Sequence, residues 1–277
     1  MRIGISADST CDLPQELVEK YDIRLNAMPF SLGERLCHDG VDGTSQDVFD
    51  YVQKTGKLPT TSAYNAFEYK EHFEKALKDY DALIHVSFST EVSSTGNNAR
   101  LAAEEFDNVY VIDSRNLSAG FATVVMEVVD RVNAGMEANK IVEEVSALVD
   151  KVQSSFILDT LKYLHKGGRC SGIAVLGANI LKIKPRISVI NGKMEVTKKY
   201  RGKIEEVAKT FFEETITECP PANKRAFVVM STPVDVKEYF DRRLKELGVE
   251  EVYYVQAGPS ICIHCGEKTV GLMYLGK

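Results

Sequence analysis

Apolar positions follow two spacings along the first 150 residues. Arg2–Ser6, Ala82–Ser87 and Val109–Ile112 are short, mostly apolar runs of strand length, and between them apolar residues recur at helical intervals. Asp12 and Pro14 predict a helix start, since proline suits a first turn that has no use for its missing N–H. Leu25–Leu32 reads extended, and the Gly, His and Asp that follow suggest a hairpin or loop to Gly43. Ser45 is placed to cap a helix to about Thr55, and the connector Pro59-Thr60-Thr61-Ser62 follows. Further helices are predicted from Ala66 to Lys78, from Ser94 to Phe106 and over 117–133. Strands alternating with helices predict a parallel sheet covered by helices.

Beyond residue 153 the pattern changes. Phe156-Ile157-Leu158 reads as a strand and Thr160–His165 as a helical turn stopped by Gly167-Gly168. Ile187–Ile190 and Glu195–Tyr200 flank Asn191-Gly192, a pair suited to a two-residue hairpin turn. Helices over 203–217 and 234–247 alternate with strands at Ala226–Met230, 249–255 and 269–275. A hairpin followed by strand–helix repeats predicts a mixed sheet. The chain therefore reads as α/β with two domains, residues 1–154 and 155–277, and 277 residues are enough for two cores.

Composition narrows the class. The chain is 44% hydrophobic, and no run approaches the ~20 apolar residues of a membrane span. MRIGISADST lacks the apolar core of a signal peptide, and six scattered cysteines suit reduced thiols in a cytoplasm. The net charge of −6 speaks against a protein dominated by nucleic acid. Residues 162–203 nevertheless hold eleven Lys and Arg against one acid, Glu195, a local balance of +10 within a remainder of −16. Such a segment suits an anionic partner.

The densest candidate chemistry is the corner after Ala82–Ser87. Ser87, Ser89, Thr90, Ser93, Ser94 and Thr95 stand within nine residues, just before a predicted helix. One hydroxyl is enough for a cap. The others, with the free N–H groups of a helix start, suit a small anion. The sequence has no G-x-x-x-x-G-K-[ST], no G-x-G-x-x-G and no G-x-S-x-G, so those nucleotide loops and that hydrolase elbow are excluded. A carboxylate, which needs only a few neutral donors, fits better.

Cys262-Ile263-His264-Cys265 has the look of metal chemistry, yet no second pair of cysteines accompanies it. Read as a strand, residues 262 and 264 share a face and 265 points away, which leaves no local site. No cofactor is expected.

Several motifs, in order along nearly the whole chain, resemble the DegV family. They include Asp8-Ser9-Thr10-Cys11-Asp12-Leu13, Asp39-Gly40-Val41-Asp42, Thr61-Ser62 and Ser89-Thr90-Glu91-Val92-Ser93. Asp113-Ser114, Leu161-Lys162-Tyr163-Leu164-His165-Lys166-Gly167-Gly168-Arg169, Lys184-Pro185 and His264 complete the set. Bacterial members of that family bind a fatty acid, and some serve as the binding subunit of a fatty-acid kinase.

The resemblance implies two α/β domains with the ligand between them and an acyl tunnel in the N-terminal one. It implies a carboxylate held by Thr61, Ser93 and His264, with Ser62, Ser94 and Thr95 in support. The chain departs from the family at Ser94-Thr95, at Ala63-Tyr64 and at Cys265-Gly266-Glu267-Lys268, where relatives tend to Gly-Thr, Gln-Pro and Gly-Pro-Gly.

The expectation is a non-catalytic carrier, with Arg169 and Arg201 facing an acyl phosphate or a kinase partner. It includes no nucleic acid and at most a transient touch at a membrane surface. Two alternatives stay open: a serine esterase or acyltransferase built on Ser93 and His264, and a DNA-binding regulator acting through 162–203.

Overall fold

The computed structural model of the protein describes residues 1–171 and 183–277. Of the basic segment, residues 172–182, with Lys182, lie outside the described residues.

The first part holds β1 (Ile3–Asp8), α1 (Gln15–Lys20), β2 (Arg24–Asn26), β3 (Pro29–Leu32), β4 (Arg35–His38) and α2 (Ser45–Thr55). It continues with β5 (Thr60–Thr61), α3 (Ala66–Ala76), β6 (Ala82–Ser87), α4 (Thr95–Ala103), β7 (Val109–Asp113), α5 (Ser118–Asn133) and α6 (Ala138–Ser146). The second part holds β8 (Val152–Ile157), α7 (Lys162–Gly167), β9 (Cys170–Ser171), β10 (Lys184–Ile190), β11 (Lys193–Tyr200) and α8 (Ile204–Glu218). It ends with β12 (Pro221–Met230), α9 (Lys237–Glu246), β13 (Glu251–Gln256), α10 (Pro259–Cys265) and β14 (Val270–Gly276).

Strands β2-β1-β6-β7 form a parallel sheet in that order, with Ile5 opposite Ile84 and Val86 opposite Ile112. Every residue of β6 is buried, as expected of a parallel strand covered on both faces. The other large sheet is mixed and seven-stranded, β13-β12-β14-β8-β10-β11-β9. Its hairpin β10–β11 turns through Asn191 at φ 51° and Gly192 at φ 82°, the two positive angles its tight turn needs. β8 pairs with β14 from Val152 onward, so this sheet begins just ahead of residue 155. A small antiparallel sheet, β4-β3-β5, sets Thr61 opposite Phe30.

The packing explains an oddity of α5, which buries eleven of its sixteen residues. It lies against β1 and β6 on one side and β8, β12 and β14 on the other, so apolar residues are needed all round. One core cluster accordingly runs through both sheets, from Ile5 and Val86 to Phe156 and Met273. Separate clusters cover the outer faces, with α8 and α9 over the mixed sheet and α3 and α4 over the parallel one.

Two local readings change. Thr44 rather than Ser45 caps α2, in a reciprocal box with Asp47, and the Ser45 hydroxyl donates to the Ala257 carbonyl at 2.7 Å. Residues 259–265 are helical, not extended. Gly258 precedes Pro259 at the first helical position, and Gly266 at φ 73° ends the helix against the Tyr163 ring. Helix α6, with Ala138, Ile141 and Val145 on its buried face, is an addition to the predicted elements. Among the described residues no helix is long and apolar enough to cross a membrane.

Candidate functional site

The parallel sheet changes strand direction of travel between β1 and β6, where open α/β sheets hold ligands at the strand ends. β1 ends in the buried Asp8. Its carboxylate accepts from the Tyr69 phenol at 2.5 Å and the Phe88 amide at 3.0 Å, and it faces His85 Nε2 at 3.5 Å. Burial alone pushes this carboxyl up. The hydrogen bond and charge of His85, with the Tyr69 and Phe88 donors, outweigh it and hold the pKa below the ordinary value. The network pins the backbone where the hydroxyl corner begins.

The hydroxyls of that corner have distinct duties. Ser87 donates to the Ile112 carbonyl, Thr90 to Asp113 at 2.6 Å, and Ser89 to the Gly192 carbonyl at 2.8 Å. Ser89 thereby ties the corner to the hairpin tip of the other sheet. Ser94 occupies the cap position of α4 without a side-chain cap bond. The Ser93 hydroxyl accepts instead from the Thr95 amide at 3.3 Å and bonds the Thr95 hydroxyl at 2.8 Å.

Beside this corner lies a cavity of about 360 Å³ between the two sheets. Thr61, Ser62, Ser93, Ser94 and Thr95 line it, together with His264 and Arg169. Its apolar lining comes from both parts of the chain: Met28, Phe88 and Val92 from the first, Phe156, Met194 and Met273 from the second.

Thr61 Oγ1 and His264 Nε2 are 3.0 Å apart, which joins two residues 203 positions distant in sequence. The other ring nitrogen, Nδ1, is buried without a partner among the described residues. Burial first, and then the positive charge of Arg169, push the His264 pKa down to about 4, so the ring is neutral at neutral pH. Gly167 makes room for the ring: a Cβ there would stand 2.4 Å from His264 Nδ1. Asn98 donates to the Tyr64 carbonyl at 2.8 Å and ties α4 to the segment carrying Thr61 and Ser62.

Arg169 is exposed and bonds the Gly167 carbonyl at 2.6 Å while reaching the cavity lining. Arg201 is exposed and is not part of that lining. The structure therefore separates two residues that the sequence treats as a pair. Among the described residues no three His, Cys, Asp or Glu side chains gather as a metal site.

Asp12 does not cap α1, whose cap position is held by Pro14, but anchors α10. Asp12 accepts from the Gly258 amide at 2.9 Å and from the Ser118 hydroxyl at 2.5 Å. A Cβ on Gly258 would lie 2.8 Å from Asp12 Oδ1 and 3.0 Å from Asp39 Oδ1, so both carboxylates crowd the start of the helix that carries His264. Their motifs are visible in the sequence, but their meeting point is 246 positions from Asp12. Burial, and then the charge of Asp39, raise the Asp12 pKa.

Burial likewise pushes Asp39 up to about 6, against the hydrogen bonds of Ser260 and Ser9. An acid with a raised folded pKa favours the fold when protonated. That contribution is complete below the unfolded value near ~4 and is lost as pH rises through about 6. Asp39→Asn should therefore gain on the wild type by about 2–3 kcal/mol between about pH 4 and pH 7. Urea unfolding at both pH values measures it, and a constant difference between the two proteins refutes it.

The chain is thus an α/β protein with a largely apolar cavity between two sheets, edged by hydroxyls, one neutral imidazole and the Arg169 guanidinium. The DegV family model, described as an uncharacterised protein family, matches residues 2–277, and the chain belongs to that family. A DegV domain-containing protein of Clostridium perfringens is 27% identical, over 99% of this chain and 98% of its own. The solved structure of a fatty-acid-binding DegV family protein from Thermus thermophilus is similar with a TM-score of 0.90, at 26% identity and full coverage of both chains. DegV from Bacillus subtilis, described as a fatty-acid-binding protein, shares the fold with a TM-score of 0.85 at 24% identity, again over the full length of both.

Proposed function

We propose that this chain binds one long-chain fatty acid between its sheets and presents it to a separate fatty-acid kinase. The carboxylate is held by Thr61, Ser93 and His264, with Ser62, Ser94 and Thr95 in support. The observation that carries this reading is one cavity that combines three methionines and Phe156 with Thr61, Ser93 and His264. A sixteen-carbon tail has about fourteen methylenes, so its burial contributes roughly 11 kcal/mol gross at about 0.8 per CH₂. Lost freedom of ligand and protein offsets much of that. Affinity then lies in the tail, and the donors orient the head group and shield a charge that is costly to bury. The domains of this reading are residues 1–154 and 155–277. The tail lies between them rather than inside the first, because both contribute apolar lining.

Two observations favour a carrier over an esterase. Ser93 pairs with Thr95, and the His264 nitrogen within reach of a hydroxyl faces Thr61. His264 Nδ1 has no carboxylate to orient it, as a nucleophile's base requires. The test is native mass spectrometry of the protein as purified, followed by titration with oleate. One bound acyl chain per protein is expected. A protein that carries no lipid and does not bind oleate or palmitate overturns the reading.

The exposed arginines serve the acyl phosphate and the partner, since guanidinium grips phosphate with two parallel bonds. Arg201→Ala should leave oleate affinity unchanged, whereas Arg169→Ala should weaken it a few-fold. Both should slow phosphorylation by a cognate kinase, and the deficit should narrow as salt rises and screens exposed charge. Titration beside a coupled kinase assay checks this, and equal phosphorylation in all three proteins refutes it.

A further inference from the structure

Cys262 and Cys265 flank His264 on α10, and the site described above uses neither thiol. In a helix, residues three apart are neighbours, with Cα atoms about 5 Å apart, inside the range of about 4.4–6.8 Å that a disulfide spans. The Cys265 thiol donates to the Gly266 carbonyl at 3.5 Å, and the neighbouring Cys265, ahead of burial, raises the Cys262 pKa. Cys265 lines the cavity, while Cys262 is fully buried behind it, donating to the Ala257 carbonyl at 3.3 Å. One cysteine borders the space a ligand enters, and the other stands ready to resolve it.

We propose that Cys262 and Cys265 form an oxidisable dithiol, closed to a disulfide by a peroxide or a low-molecular-weight disulfide, and that closure releases His264 from Thr61. With hydrogen peroxide, Cys265 attacks one peroxide oxygen to give a sulfenic acid and the first water. Cys262 sulfur then displaces that oxygen as the second water, and the S–S bond forms. Two electrons pass from sulfur to peroxide, and both thiol protons end in water. With a small disulfide the same two electrons release two small thiols.

Closure has a mechanical consequence. A disulfide needs Cβ atoms about 3.8 Å apart, whereas three-residue neighbours on a helix hold them at about 5–6 Å. The last turn of α10 must tighten, and His264 lies inside that turn. Its ring is boxed by Gly167 and bonded to Thr61, so a turn of the helix end breaks that register. A ligand in the cavity covers Cys265 in turn. Oxidation and occupancy then oppose each other.

The linkage to the ligand rests on the fatty-acid reading, whereas the dithiol itself does not. The experiment uses the full chain with Cys170→Ser and Cys219→Ser, because those two half-buried thiols react first with any reagent. It is treated with hydrogen peroxide, trapped with maleimide and digested. The expected result is a 262–265 linked fragment, a shift of the His264 ring resonances, and oleate affinity about tenfold weaker and restored by reductant. Saturating oleate should slow the linkage, and Cys262→Ser should give no linked fragment. Both thiols still alkylated after oxidation overturns the site, and a linked fragment with unmoved His264 resonances overturns the mechanical step. Reduced protein that fails to bind oleate refutes the fatty-acid reading instead, and the fragment and resonances still judge the dithiol.

Discussion

Asp8→Ala should lower the unfolding free energy by about 3–5 kcal/mol, the range for removing one partner of a buried charged network. The carboxylate is inaccessible to water and takes hydrogen bonds from Tyr69 and the Phe88 amide while facing His85. Without it, a phenol and a backbone N–H stay buried and unpaired, each at a cost of about 1–3 kcal/mol. Asp8→Asn keeps an acceptor and should lose less. The pH dependence follows from the lowered carboxyl pKa. Its contribution is present above the unfolded value near ~3.9 and is lost as pH falls through the lower folded one. Denaturant unfolding of the two variants and the wild type at neutral and acidic pH measures all of this. A loss below about 1 kcal/mol, the ordinary effect of a point mutation, would show that the network does not hold the corner.

His264→Ala should weaken oleate binding by about 10–100-fold, which is the worth of a hydrogen bond to a charged group. The fold itself should hardly notice, since among the described residues His264 Nδ1 has no partner and the ring bonds only Thr61. Gly167→Ala should act in the same direction while keeping the imidazole, because its Cβ would stand 2.4 Å from His264 Nδ1 and displace the ring. The long-chain alcohol of the same length separates head from tail. It carries no charge, so both variants should bind it about as well as the wild type does. Shortening the acid by two methylenes should cost roughly 1.6 kcal/mol, or about 15-fold, in all three proteins. Isothermal titration of the three proteins with each of the three ligands gives the result. A His264→Ala variant that binds oleate as the wild type does removes His264 from the head-group site.

Much of the architecture was legible because its signals are local. Asn191-Gly192 specifies its hairpin through the two positive φ angles it tolerates, and the mostly apolar β6 announces a strand covered on both faces. The motifs that resemble the DegV family are likewise short, and the family match extends them over residues 2–277. Cys262–Cys265 reads as a strand in sequence and is helical in the structure because a short apolar run suits helix and strand equally. Gly258-Pro259 and Gly266 carried the deciding signal at its ends. The sequence by itself determined most of the longer strands and most helices, and it marked Thr61, Ser93 and His264 as candidates.

Tertiary structure alone decided which of these groups meet. Thr61 reaches His264 across 203 positions, Asp12 reaches Gly258 across 246, and Ser89 holds a hairpin 103 positions away. It also parted Arg169, on the cavity lining, from Arg201, off it. The reason is physical. Backbone angles, caps and turns depend on neighbours within a few residues, whereas a cavity, the crowding around Gly167 and the pKa of a buried group depend on which distant surfaces pack together.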